Sequence, residues 1–149
     1  MNVRRAVVSD APIIASFNQA MALETENKVL PDEKINGGVT AQISNPAHGY
    51  YLVVANDLHE VVGCLGITFE WSDWRNGQFL WIQSVYIAPA SRRQGAFSAL
   101  YADVIRTAKE DPKVSGVRLY VEQENDSARA TYLALGMSKT HYDLLEIEV

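Results

Sequence analysis

The chain has 149 residues, of which 48% are hydrophobic and 21% are charged, and its formal net charge is -5. These values favour one globular domain over residues 1–149 and exclude a disordered or collagen-like protein. A membrane-spanning helix is not expected, because no run of about 18 apolar residues is present. Nucleic acid is not expected as the main partner either, because its phosphates require a dense basic surface.

Cysteine and histidine usage excludes two further kinds of site. Cys64 is the only cysteine and the three histidines lie far apart, so neither an internal disulfide nor a metal site is expected. No apolar segment follows the two arginines near the N-terminus, so we do not expect a signal peptide. A cytoplasmic protein without a structural metal is the simplest interpretation.

The first third of the chain predicts one strand and two helices. Residues 3–8 suit a strand, and Ser9-Asp10-Ala11-Pro12 is typical of a helix start, with polar capping residues before a proline. Pro31-Asp32 begins a second helix, which Asn45-Pro46 ends.

The middle of the chain predicts three antiparallel strands. Residues 50–55, 61–71 and 78–87 are apolar or alternating runs. Asn76-Gly77, between the second and the third run, is a strong hairpin signal.

The last third returns to alternating helices and strands. Residues 97–108 follow a helical period, and Asp111-Pro112 ends that helix. A strand over residues 117–121 precedes a helix over residues 125–135, which Gly136 closes in a left-handed conformation. Residues 142–149 predict a final strand. The order β-α-α-β-β-β-α-β-α-β indicates an α/β fold with a mixed, mostly antiparallel twisted sheet flanked by helices.

One segment combines features that suit a bound phosphate. An apolar strand ends at Pro89, a basic loop with Arg92 and Arg93 follows, and Gly95 precedes a long amphipathic helix. The start of a helix offers unpaired N–H groups and partial positive charge, which suit a phosphate or pyrophosphate. The alternative is a solvated basic loop, since the segment carries neither the P-loop lysine nor the three Rossmann glycines.

Two motifs resemble those of the GNAT superfamily of acetyl-CoA-dependent N-acetyltransferases. The segment that starts at Arg92 is similar to the family's pyrophosphate loop, Arg/Gln-x-x-Gly-x-Gly/Ala, except that Phe97 stands where a small residue is usual. Ser98, the next residue, is small. The segment from Asn125 to Met137 is similar to the later motif Asn-x-x-Ala-x-x-x-Tyr-x-x-x-Gly-Phe, with methionine in place of the final aromatic.

The resemblance implies a GNAT-like fold and the transfer of an acetyl group from acetyl-CoA to a primary amine of a small molecule or peptide by direct attack. It implies that Tyr132 is the general acid, because a phenol is protonated at neutral pH and can donate a proton to the leaving thiolate. Asn125 would contact the cofactor or simply cap its helix. The residues implied to hold the cofactor are Val85, Tyr86, Ile87, Arg92, Arg93, Gln94, Gly95, Ala96, Phe97, Ser98 and Asn125.

The general base is left open. The positions where some family members carry a glutamate correspond to Trp81 and Tyr120, neither of which is a carboxylate. A water chain, or an amine that is already neutral, would need no carboxylate. A non-catalytic acyl-CoA-binding sensor module therefore remains the alternative function. The carboxylates considered for the role are Glu24, Glu70, Asp73 and Glu122.

Acidic residues and tryptophans are the candidates for binding the acceptor amine. Trp71 and Trp74 flank Asp73, an arrangement that suits an aromatic wall for a cationic amine. If Glu24 and Glu26 converge with them, the group would form a pocket for a cation. Equally, the hairpin tip would pack on its own domain or on a second subunit in a homodimer. The acceptor-side candidates are Glu24, Glu70, Trp71 and Asp73.

Overall fold

A five-stranded sheet forms the centre of the structure, a computed structural model that describes residues 1–149. The strands lie in chain order, and only the last neighbouring pair is parallel. This arrangement confirms the predicted mixed α/β fold. The strands are β1 (Asn2–Arg5), β2 (Tyr50–Ala55), β3 (Val61–Ser72), β4 (Gly77–Ile87) and β5 (Val114–Leu119). The helices are α1 (Ala11–Glu26), α2 (Asp32–Ser44), α3 (Ala96–Glu110) and α4 (Asp126–Ala134).

The chain divides into two compact units, Met1–Leu119 and Tyr120–Val149. The first holds the whole sheet with α1, α2 and α3, and the second holds α4. A single domain over residues 1–149 therefore stays a prediction. None of the helices is both long enough and apolar enough to cross a bilayer.

Alternation along the strands gives the first unit a core on both sheet faces. Successive side chains of a strand point to opposite faces, so Tyr51 and Val53 of β2 pack with α1 and α2. Leu52 and Val54 are as buried as their neighbours and face the other way. That second face is covered by α3, whose buried residues are Ala96, Leu100, Tyr101 and Val104.

A buried acid fixes the start of α1. Both oxygens of Asp10 accept hydrogen bonds from the Arg4 guanidinium, at 2.7 and 2.9 Å, and one also accepts from the Val7 N–H at 2.8 Å. The arginine holds the pKa of this carboxyl below its usual value. Asp10 therefore joins β1 to the helix start. It occupies the N-cap position as predicted, but its side chain makes no capping hydrogen bond to α1.

The predicted hairpin is confirmed between β3 and β4. Its tip spans four residues, and the Asn76 N–H donates to the Asp73 carbonyl at 3.3 Å. Asn76 adopts a left-handed φ of 48°, which asparagine tolerates better than most residues.

A β-bulge interrupts β4 near its end. Cys64 of β3 pairs with Tyr86, and Gly66 pairs with Gln83. The one β3 residue between these pairs, Leu65, therefore faces two residues of β4, Ser84 and Val85. Ser84 takes a left-handed φ of 52°. The Cys64 thiol donates to its carbonyl at 3.6 Å, and the Tyr51 side chain interacts with the Ser84 hydroxyl. These contacts fix the bend that directs the last residues of β4.

The second unit is organised around α4. The Asn125 side chain caps this helix by accepting from the Ala128 N–H at 3.2 Å. Gly136 closes it at a φ of 98°, and the Met137 N–H reaches back to the Tyr132 carbonyl at 3.1 Å, as the sequence predicts. The last predicted strand, over residues 142–149, is not among the strands of the structure. Its alternation of apolar and acidic residues favours a strand, but no ladder of the sheet includes it.

Candidate active site

Beyond its middle, β4 has an open edge. Its parallel pairing with β5 ends at Ile82 and Leu119, whereas β4 continues to Ile87. The Ala88 N–H donates to the Val62 carbonyl on the β3 side at 2.8 Å. Because backbone groups alternate in direction along a strand, those of Ile87 point to the opposite, open edge. The structure thus leaves the Ile87 N–H without a partner strand where β4 and β5 no longer pair, whereas the Ile87 carbonyl accepts a hydrogen bond from Arg92.

The segment after β4 leads into the start of α3. It makes a short 3-10 turn over Pro89–Ser91, and Arg93 and Gly95 then adopt left-handed φ values of 61° and 84°. Gly95 is the residue immediately before α3. A cavity of about 240 Å³ lies at this corner, lined by Ile87, Ser91, Arg92, Arg93, Gly95, Ala96, Phe97 and Ser98. We call Arg92–Ser98 the anion loop.

The anion loop suits a diphosphate. The first N–H groups of a helix have no carbonyl partner within the helix, and left-handed residues before a helix allow consecutive N–H groups to face one side. A Cβ placed on Gly95 would meet no atom within 4 Å, so the space above this backbone is open to a ligand. Arg93 adds a full positive charge next to this space.

Phe97 is larger than the small residue usual at this position of the motif, but it does not fill the cavity. Its ring lies 5.9 Å from that of Tyr101, one helical turn along α3. Phe97 and Ser98 both line the cavity.

Arg92 makes contacts that its predicted role does not include. Its Nε donates to the Ile87 carbonyl at 2.9 Å, and a terminal nitrogen donates to Glu24 at 2.9 Å. Glu24 lies near the end of α1 and also accepts from the Tyr86 hydroxyl at 2.8 Å. The sequence predicts Arg92 and Tyr86 as cofactor residues and Glu24 as an acceptor residue, without a link between them. Nothing local signals their contact, since 68 positions separate Glu24 from Arg92.

The structure does not bring the acidic and aromatic acceptor candidates together. Glu24 contacts Tyr86 near the end of β4, whereas Trp71 pairs with Gln78 near its beginning. Eight residues of strand separate these sites by about 25 Å. The hypothesis that Glu24 and Glu26 converge with Asp73 and the tryptophans is therefore wrong, because the hairpin and α1 lie at opposite ends of β4.

Near the β3–β4 hairpin, the acceptor candidates Glu70 and Asp73 form hydrogen bonds with neighbouring residues. Glu70 accepts from the Arg118 guanidinium at 2.6 Å, and that guanidinium lies 3.7 Å from the centre of the Phe79 ring. The Asp73 carboxylate accepts from the Trp74 N–H at 2.9 Å and so stabilises the turn. Trp71 is 64% exposed.

Cys64 is placed as a structural residue. Its side chain is fully buried, and burial raises the pKa of its thiol to about 12. Because the thiolate is the nucleophile, this environment opposes an acyl-cysteine intermediate.

The residues of the second predicted motif lie in the second unit. Asn125 acts there as the helix cap, which was one of its two expected roles. Tyr132 is partly buried on α4, three residues before Leu135.

Comparisons with known proteins agree with both motifs. Residues 16–137 match the family described as the acetyltransferase (GNAT) family. The crystal structure of a possible acetyltransferase from Clostridium difficile 630 is 42% identical and superposes with a TM-score of 0.94, over 99% of this chain and 97% of that one. A comparison with the curated proteins finds no match.

More distant structures share the fold. A predicted acetyltransferase with acetyl-CoA from Clostridium acetobutylicum is 18% identical, with a TM-score of 0.79 over 99% of this chain and 95% of that one. A transcriptional regulator from Bacillus halodurans C-125 is 21% identical, with a TM-score of 0.80 over 99% of each chain. The fold is thus shared by proteins described in different terms, and the site must carry the functional argument.

Proposed function

Because this chain belongs to the acetyltransferase (GNAT) family, we propose that it transfers the acetyl group of acetyl-CoA to a primary amine of a small molecule or peptide. The observation that carries this proposal is the open edge of β4 leading directly into the anion loop. A strand edge suits an extended amide-containing arm, and the loop suits a diphosphate. Coenzyme A contains both groups, with the amide-containing pantetheine arm joined directly to the diphosphate.

The co-substrate supplies an activated thioester carbonyl, which the amine attacks directly. In our proposal the backbone groups of Val85 and the N–H of Ile87 align the pantetheine arm, and one N–H polarises the thioester carbonyl. The Ile87 carbonyl is already used by Arg92. The N–H groups of the anion loop, with Arg93, hold the diphosphate. The Cys64 thiol takes no part, since it is buried and protonated.

We assign Tyr132 the role of general acid. Its support is the motif from Asn125 to Met137, which falls on a helix with the expected cap and the expected glycine closure. A phenol at this position donates a proton to the departing thiolate. No carboxylate is assigned as the base. An ammonium substrate first loses a proton to water, whereas a neutral amine attacks directly. In both cases the nitrogen loses one proton to water after the attack, the departing thiolate takes one from Tyr132, and Tyr132 is reprotonated by solvent.

The proposal is tested by following free thiol released from acetyl-CoA with a panel of primary amines and short peptides. We expect release that depends on an amine, with one acetyl group found on the amine nitrogen by mass spectrometry. Tight binding of acetyl-CoA without transfer to any amine would instead favour the sensor module. Absence of both binding and transfer would overturn the proposal.

A further inference from the structure

We infer that Glu24 is a positioning residue for the anion loop and acts through Arg92. This inference rests on the proposed function and assigns Glu24 to the cofactor side of the reaction. The three residues Glu24, Tyr86 and Arg92 form what we call the Glu24 clamp. It joins α1, the end of β4 and the anion loop, which are far apart in sequence.

Arg92 is the centre of the clamp. One edge of its guanidinium donates to the Ile87 carbonyl and another nitrogen donates to Glu24, both at 2.9 Å. A guanidinium is planar and its donors have fixed directions, so two partners on different elements restrict its orientation. Arg92 also lines the cavity, so the clamp fixes one wall of the anion loop.

Tyr86 anchors the other side of the carboxylate. Its hydroxyl donates to Glu24 at 2.8 Å, the residue is only 8% exposed, and the centre of its ring lies 5.4 Å from that of Phe17. Glu24 therefore uses one oxygen for a buried tyrosine and the other for Arg92. An exposed glutamate without partners would be mobile, but the Glu24 carboxylate is held by a donor at each oxygen.

The charges indicate that Glu24 orders the anion loop and does not bind the acceptor amine. The Arg92 and Tyr86 hydrogen bonds lower the pKa of Glu24, so it stays ionised. Its negative charge is balanced by Arg92, and both oxygens already have donors. Such a carboxylate neither attracts a cationic amine strongly nor takes up a proton readily. The side chains of Glu24 and Arg92 are 43% and 45% exposed, so solvent screens their contact and its loss should have a modest effect.

The test compares Glu24→Gln with Glu26→Gln, a matched change at an exposed position two residues along α1. Each variant is assayed with acetyl-CoA and with acetyl-pantetheine, which lacks the diphosphate. For Glu24→Gln we expect the KM for acetyl-CoA to rise about fivefold, the size of effect given by one partly exposed ionic contact. The kcat, the KM for the amine and the rate with acetyl-pantetheine stay unchanged. Glu26→Gln behaves as the wild type.

Two results would overturn the inference while leaving the proposed function intact. One is an unchanged KM for acetyl-CoA, and the other is a raised KM for the amine, which would make Glu24 an acceptor contact. Tyr86→Phe removes only the hydroxyl and provides a second variant if Glu24→Gln fails to fold. It should raise the KM for acetyl-CoA about twofold.

If the wild type transfers no acetyl group, the proposed function is wrong, but the inference about Glu24 can still be tested. The inference is then judged by calorimetry with coenzyme A and with pantetheine. Glu24→Gln should weaken coenzyme A binding about fivefold and leave pantetheine binding unchanged. Equal binding of coenzyme A by the wild type and Glu24→Gln would overturn it.

Discussion

Ile82 and Leu119 form the last pair between β4 and β5, and β4 continues five residues beyond this pair to Ile87. The bulge at Ser84 falls within that extension. An edge opened inside a sheet exposes backbone donors and acceptors that would otherwise be paired. The anion loop follows after a short 3-10 turn, so the backbone of one continuous segment presents both kinds of binding group.

Gly95 is expected to be intolerant of a side chain. At a φ of 84°, alanine would be strained by about 1 kcal/mol, and its Cβ would enter the open space above the loop. Gly95→Ala should therefore lower stability by about that amount and raise the KM for acetyl-CoA about tenfold. Urea denaturation and steady-state kinetics measure the two effects. Wild-type kinetics in Gly95→Ala would contradict the assignment of the loop.

Gly38 provides the matched control and a prediction of its own. It lies exposed inside α2, and a Cβ there would meet no atom within 4 Å. Gly38→Ala should stabilise the protein by about 0.5–1 kcal/mol, because alanine loses less conformational freedom in a helix. A lower urea midpoint would show that the added methyl group is not accommodated.

Tyr132→Phe is expected to slow transfer without preventing folding. Loss of a general acid should lower kcat about 100-fold, with little change in the KM for acetyl-CoA. Tyr142→Phe, a change at a tyrosine that is 62% exposed, should leave kcat unchanged. Equal kcat values for both variants would remove Tyr132 from the mechanism.

The Asp10 carboxyl should make the free energy of unfolding decrease at acid pH. Its pKa is lowered in the folded state, so its contribution is complete above the unfolded value of about 4 and is lost as the pH falls through the folded value. Asp10→Asn should cost about 2 kcal/mol at pH 7, because three hydrogen bonds to a buried charge are lost or weakened. Between about pH 5 and pH 2, the free energy of unfolding of Asp10→Asn should therefore fall less with falling pH than that of the wild type. Urea denaturation at each pH measures this, and a parallel profile would contradict it.

Cys64 should be unreactive in the native protein. With a thiol pKa of about 12 and no exposure, almost no accessible thiolate exists near neutral pH. A thiol-specific disulfide reagent should label the protein only after denaturant is added. Complete labelling within minutes under native conditions would show that the β3–β4 region opens readily.

Local signals predicted the elements of the fold well. Pro31-Asp32 and Asn45-Pro46 bound α2, because proline restricts the backbone. Asn76-Gly77 marks the β3–β4 hairpin, because asparagine and glycine tolerate the conformations of a tight turn. Gly95 and Gly136 likewise occupy the left-handed positions at which glycine is favoured. Residues 142–149 have a strand pattern, but a strand also needs a neighbour, which a local pattern cannot specify.

Long-range contacts account for what the sequence did not predict. The bulge uses Ser84, which carries no glycine signal, and depends on Cys64 and Tyr51 from neighbouring strands. The partnership of Glu24 with Arg92 depends on how α1 packs against β4. Because charge and spacing alone do not encode packing, acids at opposite ends of β4 were expected in one pocket.

The most direct test of the central claim, that the anion loop holds acetyl-CoA, is a thermal melt with this ligand and with ATP and NAD as controls. Ligand at 100 times its dissociation constant stabilises the folded state by about 2.7 kcal/mol. For a chain of this length, that corresponds to a rise in Tm of about 5–10 °C. We predict such a rise with acetyl-CoA and none with ATP or NAD. An unchanged Tm at millimolar acetyl-CoA would contradict the assignment of this loop.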